Sequence, residues 1–293
     1  MSTTPVIDVE RLNLTYGDFH AVKDLSFQVR PGELYALLGT NGAGKTSTLE
    51  VIEGHRRPTS GSVRVFGHSP DARRAVRPRM GVMLQESGFS PDLTVRESVG
   101  LIGRLSGRSD DVDRVLDMVD LTGRAGRKVS QLSGGEKRRL DFATAVYGTP
   151  ELIFLDEPTT GLDIQSRDAV WATVDRLREN GATIVLTTHY LEEAQQRADR
   201  IGLMHQGTLH REGTVAELTR TLPAVIRFSL PAPAPTLPVR AAVDAAGKVV
   251  VETFELQKDL HLLLGWAQDH AVELRDLAAG PTRLDDVFRA INS

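Results

Sequence analysis

Alternating stretches and short apolar runs take turns along the first two hundred residues, and their spacing sorts them into elements. VIDVERLNLTY (6–16) and AVKDLSFQV (21–29) alternate apolar with polar positions around Gly17-Asp18, the pattern of two strands joined by a tight turn. LYALL (34–38), MGVML (80–84), LIFL (152–155) and TIVLTT (183–188) are largely apolar, as strands covered on both faces are. SGSVRVFG (60–67) is a further short strand bounded by glycines. Helical spacing begins after residue 46 with TSTLEVIEG, closed by Gly54. It returns over 165–180, where Val170, Val174 and Leu177 share one face.

From about 92 to 148 the strand pattern is absent, and Leu93 to Leu105, Asp111 to Val119 and Gly134 to Val146 predict three helices. Strands alternating with helices predict an α/β fold with a mostly parallel core sheet, here with an N-terminal antiparallel part and an inserted helical subdomain. The pattern changes again near Pro223. LPAPAPTLP (230–238) is a proline-rich break, KVVVETF reads as a strand and DLHLLLGWAQ as a helix. In TRLDDVFRAIN, Leu284, Val287, Phe288 and Ile291 fall at helical spacing. The expected organisation is a first domain over 1–221 and a small α+β domain over 222–293.

Composition changes this picture little. The chain is 40% hydrophobic and 25% charged, ordinary for a globular protein, and its net charge of −4 gives no electrostatic case for nucleic acid. The basic runs at Arg73, Arg74, Arg77 and Arg79, and at Lys137, Arg138 and Arg139, read as solvated faces. Cysteine is absent, which excludes disulfides and thiolate metal sites. The N-terminus has no basic segment leading into an apolar core, and no apolar run nears the roughly 18 residues of a membrane span. A cytoplasmic protein is expected.

Candidate chemistry begins at GTNGAGKT: Gly39, Thr40, Asn41, Gly42, Ala43, Gly44, Lys45 and Thr46, with Ser47 following. The run fits G-x-x-x-x-G-K-[ST] between a predicted strand and a predicted helix, the context this phosphate loop requires. Glycines let several N–H groups face one concavity, and the helix adds its dipole. Lys45 can reach the β- and γ-phosphates of a nucleoside triphosphate, and the Thr46 hydroxyl can ligate Mg²⁺. Ligands of such sheets sit beyond the carboxyl ends of the strands. Two other buried strands end there in Asp156-Glu157 and in His189. Asp156 is placed to hold Mg²⁺ and Glu157 to polarise water. Alone, each has a blander reading as a solvated strand-end residue; the phosphate loop tips the balance.

A second glycine-rich helix start is QLSGGEKRRL (131–140). Ser133 and Glu136 have capping-box spacing. Yet a capped helix does not need Gly134 and Gly135, which cost about 1 kcal/mol each relative to alanine. Bare glycines suit a backbone that a ligand must approach closely.

Taken in order, these motifs resemble the ATP-binding subunit of ABC transporters over about 1–215. The resemblance implies a P-loop NTPase fold, ATP and Mg²⁺ as ligands, and two composite sites in a pair of cassettes. It implies that Tyr16 stacks on adenine with Val22 beside it. Thr46, Gln85 and Asp156 would contact Mg²⁺, Glu157 would be the general base, and His189 would contact the γ-phosphate. Gln85 would also sense the membrane partner. Ser133, Gly134, Gly135 and Glu136, the signature, would act with Asp163 on the ATP held by the other subunit, a second copy or a homologous chain. Ser133 would cap its own helix without ATP and turn to the phosphate when the pair closes.

Two positions depart from the family pattern. Ser47 stands where many relatives carry threonine, which keeps the Mg²⁺ hydroxyl of Thr46 and changes little. Glu136 stands where glutamine is common and adds a negative charge near a phosphate site, so altered ATP affinity rather than lost function is expected. RLDDVF near the C-terminus resembles the appended domain of multidrug- and daunorubicin-resistance ATPases. That implies an exporter of a drug, antibiotic or lipid-like substrate, with the permease on a separate chain and this subunit peripheral on the inner face of the membrane. The alternatives are an importer ATPase, or a soluble ABC ATPase acting on nucleic acid or ribosomes. The latter typically has two cassettes or a long coiled coil, and neither occurs here, so no nucleic-acid partner is expected.

Overall fold

The computed structural model describes residues 4–83, 88–220, 222–230, 235–244 and 246–292. The chain divides into two compact units, 1–214 and 215–293.

The first unit opens with β1 (Ile7–Tyr16) and β2 (Phe19–Val29), an antiparallel hairpin about Gly17-Asp18. Strict alternation along β1 would put Val9 and Leu12 on opposite faces. A bulge between them, with Arg11 at φ 46, resets the phase. Ile7, Val9, Leu12 and Leu14 are then all buried. β3 (Leu34–Gly39) leads through the phosphate loop into α1 (Lys45–Ile52). β4 (Ser60–Val65) pairs with the other edge of β1, completing a three-stranded sheet.

After α2 (Arg73–Val76) and β5 (Met80–Met83) come the helices of the insertion, α3 (Val95–Ser106), α4 (Val112–Met118) and α5 (Gly134–Val146). Thr94 and Glu97 form a capping box on α3, and Asp111 caps α4. The chain returns through β6 (Leu152–Asp156), α6 (Ile164–Glu179), β7 (Thr183–Thr187) and α7 (Leu191–Arg197). It closes with the hairpin β8 (Arg200–His205) and β9 (Thr208–Gly213). The core sheet has the order β5-β6-β7-β3-β8-β9 and is parallel except for β9. One core joins the two sheets: Tyr35 of β3 is fully buried and stacks on Phe27 of β2 at 5.2 Å between ring centres.

α5 lies close on β5. A Cβ at Gly81 would stand 1.9 Å from the Ala145 carbonyl oxygen, so only glycine fits. Gly81→Ala is therefore expected to destabilise the chain by about 1–3 kcal/mol, the range of overpacked cores. Chemical denaturation measures this, and a loss under about 0.5 kcal/mol, the scale of ordinary surface changes, would show that the helix can shift freely.

The second unit contains α8 (Val215–Thr219), β10 (Ala224–Ser229), β11 (Ala242–Val243), β12 (Lys248–Thr253), α9 (Leu256–Asp269), β13 (Arg275–Gly280) and α10 (Leu284–Asn292). Its antiparallel sheet runs β11-β12-β10-β13. Ile226, Phe228, Val249, Val251 and Leu263 form its core. Residues 231–234 of the proline-rich break lie outside the described residues. Among the described residues no helix is long and apolar enough to cross a membrane.

Candidate active site

The phosphate loop turns on Gly44, at φ +98, where a Cβ would meet the Ala21 carbonyl oxygen at 2.6 Å. Lys45 Nζ donates to the Gly39 carbonyl at 2.7 Å and to that of Thr40 at 3.2 Å, so the ammonium already lies along its own loop. Burial pushes the Lys45 pKa down, and the carboxylates of Glu157 and Asp156 pull it back. A cavity of about 220 Å³ brings Lys45, Thr46, Ser47, Asp156 and Glu157 together, with Asn41, Gly42, Ala43 and Gly44 along its wall.

β6 and β7 deliver the acidic and imidazole groups. Asp156 accepts a hydrogen bond from the Thr187 hydroxyl. Glu157 has a left-handed backbone, φ 52, which a side chain of this size adopts only where its surroundings impose it. Its N–H donates to the Thr187 carbonyl at 2.9 Å. Its carboxylate accepts from His189 Nδ1 at 2.5 Å and from the Thr160 hydroxyl at 3.3 Å. A carboxylate held this way, beside a cationic loop, can orient and deprotonate a water.

The peptide bearing these acids has a further partner. Arg138, reaching from α5, donates to the carbonyl oxygens of Asp156 and, at 2.6 Å, of Glu157. This corrects the expectation that the run at 137–139 is a solvated face: Arg138 is only 8% exposed, and burial pushes its pKa down. Arg139 also has a local partner, donating to the Ser166 hydroxyl at 2.8 Å. Charge counting along the chain could not separate these residues. The helical phase of Arg138, four residues before buried Phe142 and seven before buried Ala145, was the available signal.

The residues expected at the base end are distributed differently. The Tyr16 hydroxyl donates to Glu50 at 3.1 Å and lies 3.2 Å from Ser47 Oγ, while the Arg56 guanidinium sits 4.5 Å from the ring centre. Tyr16 is 37% exposed and does not line the cavity. Val22 is fully buried behind Gly44, so its side chain backs the loop and Ala21 lines the cavity in its place. Phe19, absent from the expected site, lines it and is 63% exposed. It pairs with Tyr16 across the hairpin, and a second aromatic at that turn was the sequence signal. Gln85 lies outside the described residues.

At the signature, the capping box is formed. Ser133 Oγ accepts from Glu136 N at 3.2 Å, and Ser133 N donates to the Glu136 carboxylate at 2.8 Å. A Cβ at Gly134 would meet nothing within 4 Å, and one at Gly135 would make only ordinary contacts, with Leu162 at 3.7 Å and the Gly161 carbonyl oxygen at 3.8 Å. Packing within the chain therefore does not require either glycine. The charge of Glu136 is also not isolated, because Arg124 Nε donates to its other oxygen at 2.6 Å. Asp163 caps α6, accepting from Ser166 N at 2.8 Å, a bond that lowers its pKa.

Comparison with known proteins places this geometry among relatives. The family model described as ABC transporter matches residues 22–160. A second, described as the C-terminal domain of ABC transporter domain-containing-like proteins, matches 224–282. The Nod factor export ATP-binding protein I of Burkholderia orbicola is 42% identical over 219 residues, covering 73% of this chain and 72% of that protein. The daunorubicin/doxorubicin resistance ATP-binding protein DrrA of Streptomyces peucetius is 35% identical over 314 aligned positions, covering 99% and 94%. Among solved structures, the ATP-binding subunit of an ABC transporter superposes with a TM-score of 0.70 at 27% identity, covering 74% of this chain and 92% of that one. The dimeric cassette MJ0796 bound to ADP and Pi gives 0.66 at 26%, covering 71% and 98%.

Proposed function

The chain belongs to the ABC transporter family, and from that premise we propose that it is the ATP-hydrolysing subunit of a membrane exporter, acting as a pair of cassettes against a permease on a separate chain. The observation that carries the export reading is that similarity to the daunorubicin/doxorubicin resistance protein runs through both units, 99% of this chain. The second unit thus travels with the cassette in a relative named for resistance. The subunit would sit at the inner face of the cell membrane, held there by its permease.

In this reading Lys45 neutralises the β- and γ-phosphates, Glu157 takes the proton of the attacking water, and His189 holds the Glu157 carboxylate and meets the γ-phosphate. Arg138 fixes the peptide from which Asp156 and Glu157 diverge. Ser133 with the Gly134 and Gly135 backbone, and Asp163 beside them, complete the site of the partner cassette. Tyr16 is the base-stacking residue, with Phe19 the aromatic nearer the phosphates.

Thr46 and Asp156 fit Mg²⁺. They offer one hydroxyl and one carboxylate on a shared wall, and Mg²⁺ beside phosphates takes few protein oxygens and keeps several waters. When bound, the ion would neutralise charge developing on the phosphate oxygens.

Two measurements test the proposal. ATP hydrolysis by the full chain should cease on removal of Mg²⁺ by chelation and return on its addition. Co-expressed with a hydrophobic membrane protein encoded beside it, the chain should co-purify in a complex whose ATPase responds to amphipathic compounds. Salt-sensitive binding to RNA or DNA, with no membrane partner retained, would overturn the export assignment.

A further inference from the structure

We propose that Arg124 is the counter-charge that permits a glutamate in the phosphate-facing turn of α5, so that the Arg124–Glu136 pair sets how tightly the partner cassette's ATP is gripped. The proposal rests on the reading of Ser133–Gly135 as a contact for that ATP.

The difficulty it answers is electrostatic. A helix N-terminus attracts anions because its first N–H groups are unpaired and its dipole is positive there. An ionised carboxylate in the first turn cancels that attraction. Glu136 is such a group: bonds from Ser133 and Arg124 hold its pKa at about 2, so it stays charged at any working pH. An ATP arriving from a partner would meet a helix end already occupied by an anion.

The geometry removes the conflict. Each Glu136 oxygen has its own donor, Ser133 N at 2.8 Å on one and Arg124 Nε at 2.6 Å on the other. The side chain is 14% exposed, so the pair is partly shielded from solvent. Arg124 is presented by a short helical turn at 122–124, tied at both ends: its N–H donates to the Leu121 carbonyl at 2.9 Å, and its carbonyl accepts from Arg127 N at 2.8 Å. Only Nε is used on Glu136, and the guanidinium stays partly exposed. The Glu136 charge is therefore answered by Arg124, and the capping carboxylate is held on both oxygens, with Lys137 following it in the same turn.

A double-mutant cycle on the full chain tests this, read as the ATP concentration that half-drives dimerisation, by sedimentation in a Glu157→Gln background. Arg124→Ala should raise that concentration at least tenfold, while ATP binding to the monomer, made by the cassette's own loop, stays within threefold. In a Glu136→Gln background the same Arg124→Ala change should have less than a threefold effect, because the anion it compensates is gone. If Arg124→Ala does not fold, Arg124→Gln carries the same comparison.

An unaltered dimerisation curve in Arg124→Ala overturns the proposal. So does an equal loss with and without Glu136→Gln, which would make Arg124 a structural or direct phosphate residue. Ser133→Ala separates the two readings: if it too leaves dimerisation unchanged, the trans-phosphate reading fails, whereas its loss beside a harmless Arg124→Ala defeats only the charge pair.

Discussion

Glu157→Gln is expected to lower ATP turnover by about 10²–10⁴-fold while ATP still binds and the subunits still pair. The amide has nearly the shape of the carboxylate, so the change removes charge and basicity and little else. What orients residue 157 is retained: its N–H bond to Thr187 and the Arg138 bonds to the carbonyls of 156 and 157 are made by the backbone. The amide oxygen can still accept from His189 Nδ1, now 2.5 Å from the carboxylate. A variant with intact geometry and no base should accumulate as an ATP-bound pair. Single-turnover hydrolysis and sedimentation in the presence of ATP read the two halves of this expectation. Wild-type turnover in Glu157→Gln would remove Glu157 as the base. Failure to pair would make its charge part of assembly.

The elements that position this residue are legible in the sequence, and the reason is burial. LYALL, LIFL and TIVLTT are apolar because strands of a parallel sheet are covered on both faces, and they form β3, β6 and β7. Hydrophobicity thus identifies the strands, and the polar residues ending them identify the site. What was illegible lacked such a signature. β13 is exposed along most of its length and is a strand only through its pairing with β10. The β8–β9 hairpin turns on Gln206-Gly207, both at positive φ, and glutamine does not advertise that conformation as asparagine would.

The site shows the same division. Lys45, Asp156 and Glu157 belong to motifs written within a few residues of sequence, and they meet at one cavity. Arg138 contacts a peptide eighteen residues away and Arg124 a carboxylate twelve away. Nothing in the local spacing of either arginine names its partner. The expectation for Glu136 shows the consequence: read alone it is an extra negative charge, and with Arg124 beside it the charge is answered.

Lys45→Ala should fail at an earlier stage than Glu157→Gln, by losing ATP itself. Charge-assisted hydrogen bonds contribute about 1.5–3 kcal/mol each, so losing one phosphate contact weakens binding by roughly 10–150-fold, and losing two weakens it further. The ammonium is held ready for this role, because its bonds to the Gly39 and Thr40 carbonyls lay it along the loop before any phosphate arrives. Those bonds introduce a second effect, since alanine also leaves both carbonyls without their donor. Lys45→Arg separates the two. It keeps the charge and can bond carbonyls, but it brings a broad fork where the loop accommodates a compact ammonium. If charge dominates, the arginine variant retains much of the affinity that alanine loses; if the fit of the ammonium dominates, both are weak. Titration with a fluorescent ATP analogue measures all three proteins. The pair of defects is the sharper evidence: a chain that cannot bind ATP should show no ATP-driven pairing, whereas one lacking only its base should pair and remain paired. Unchanged affinity in Lys45→Ala would remove the lysine from the phosphate site and leave Glu157 without the anchored nucleotide its chemistry requires.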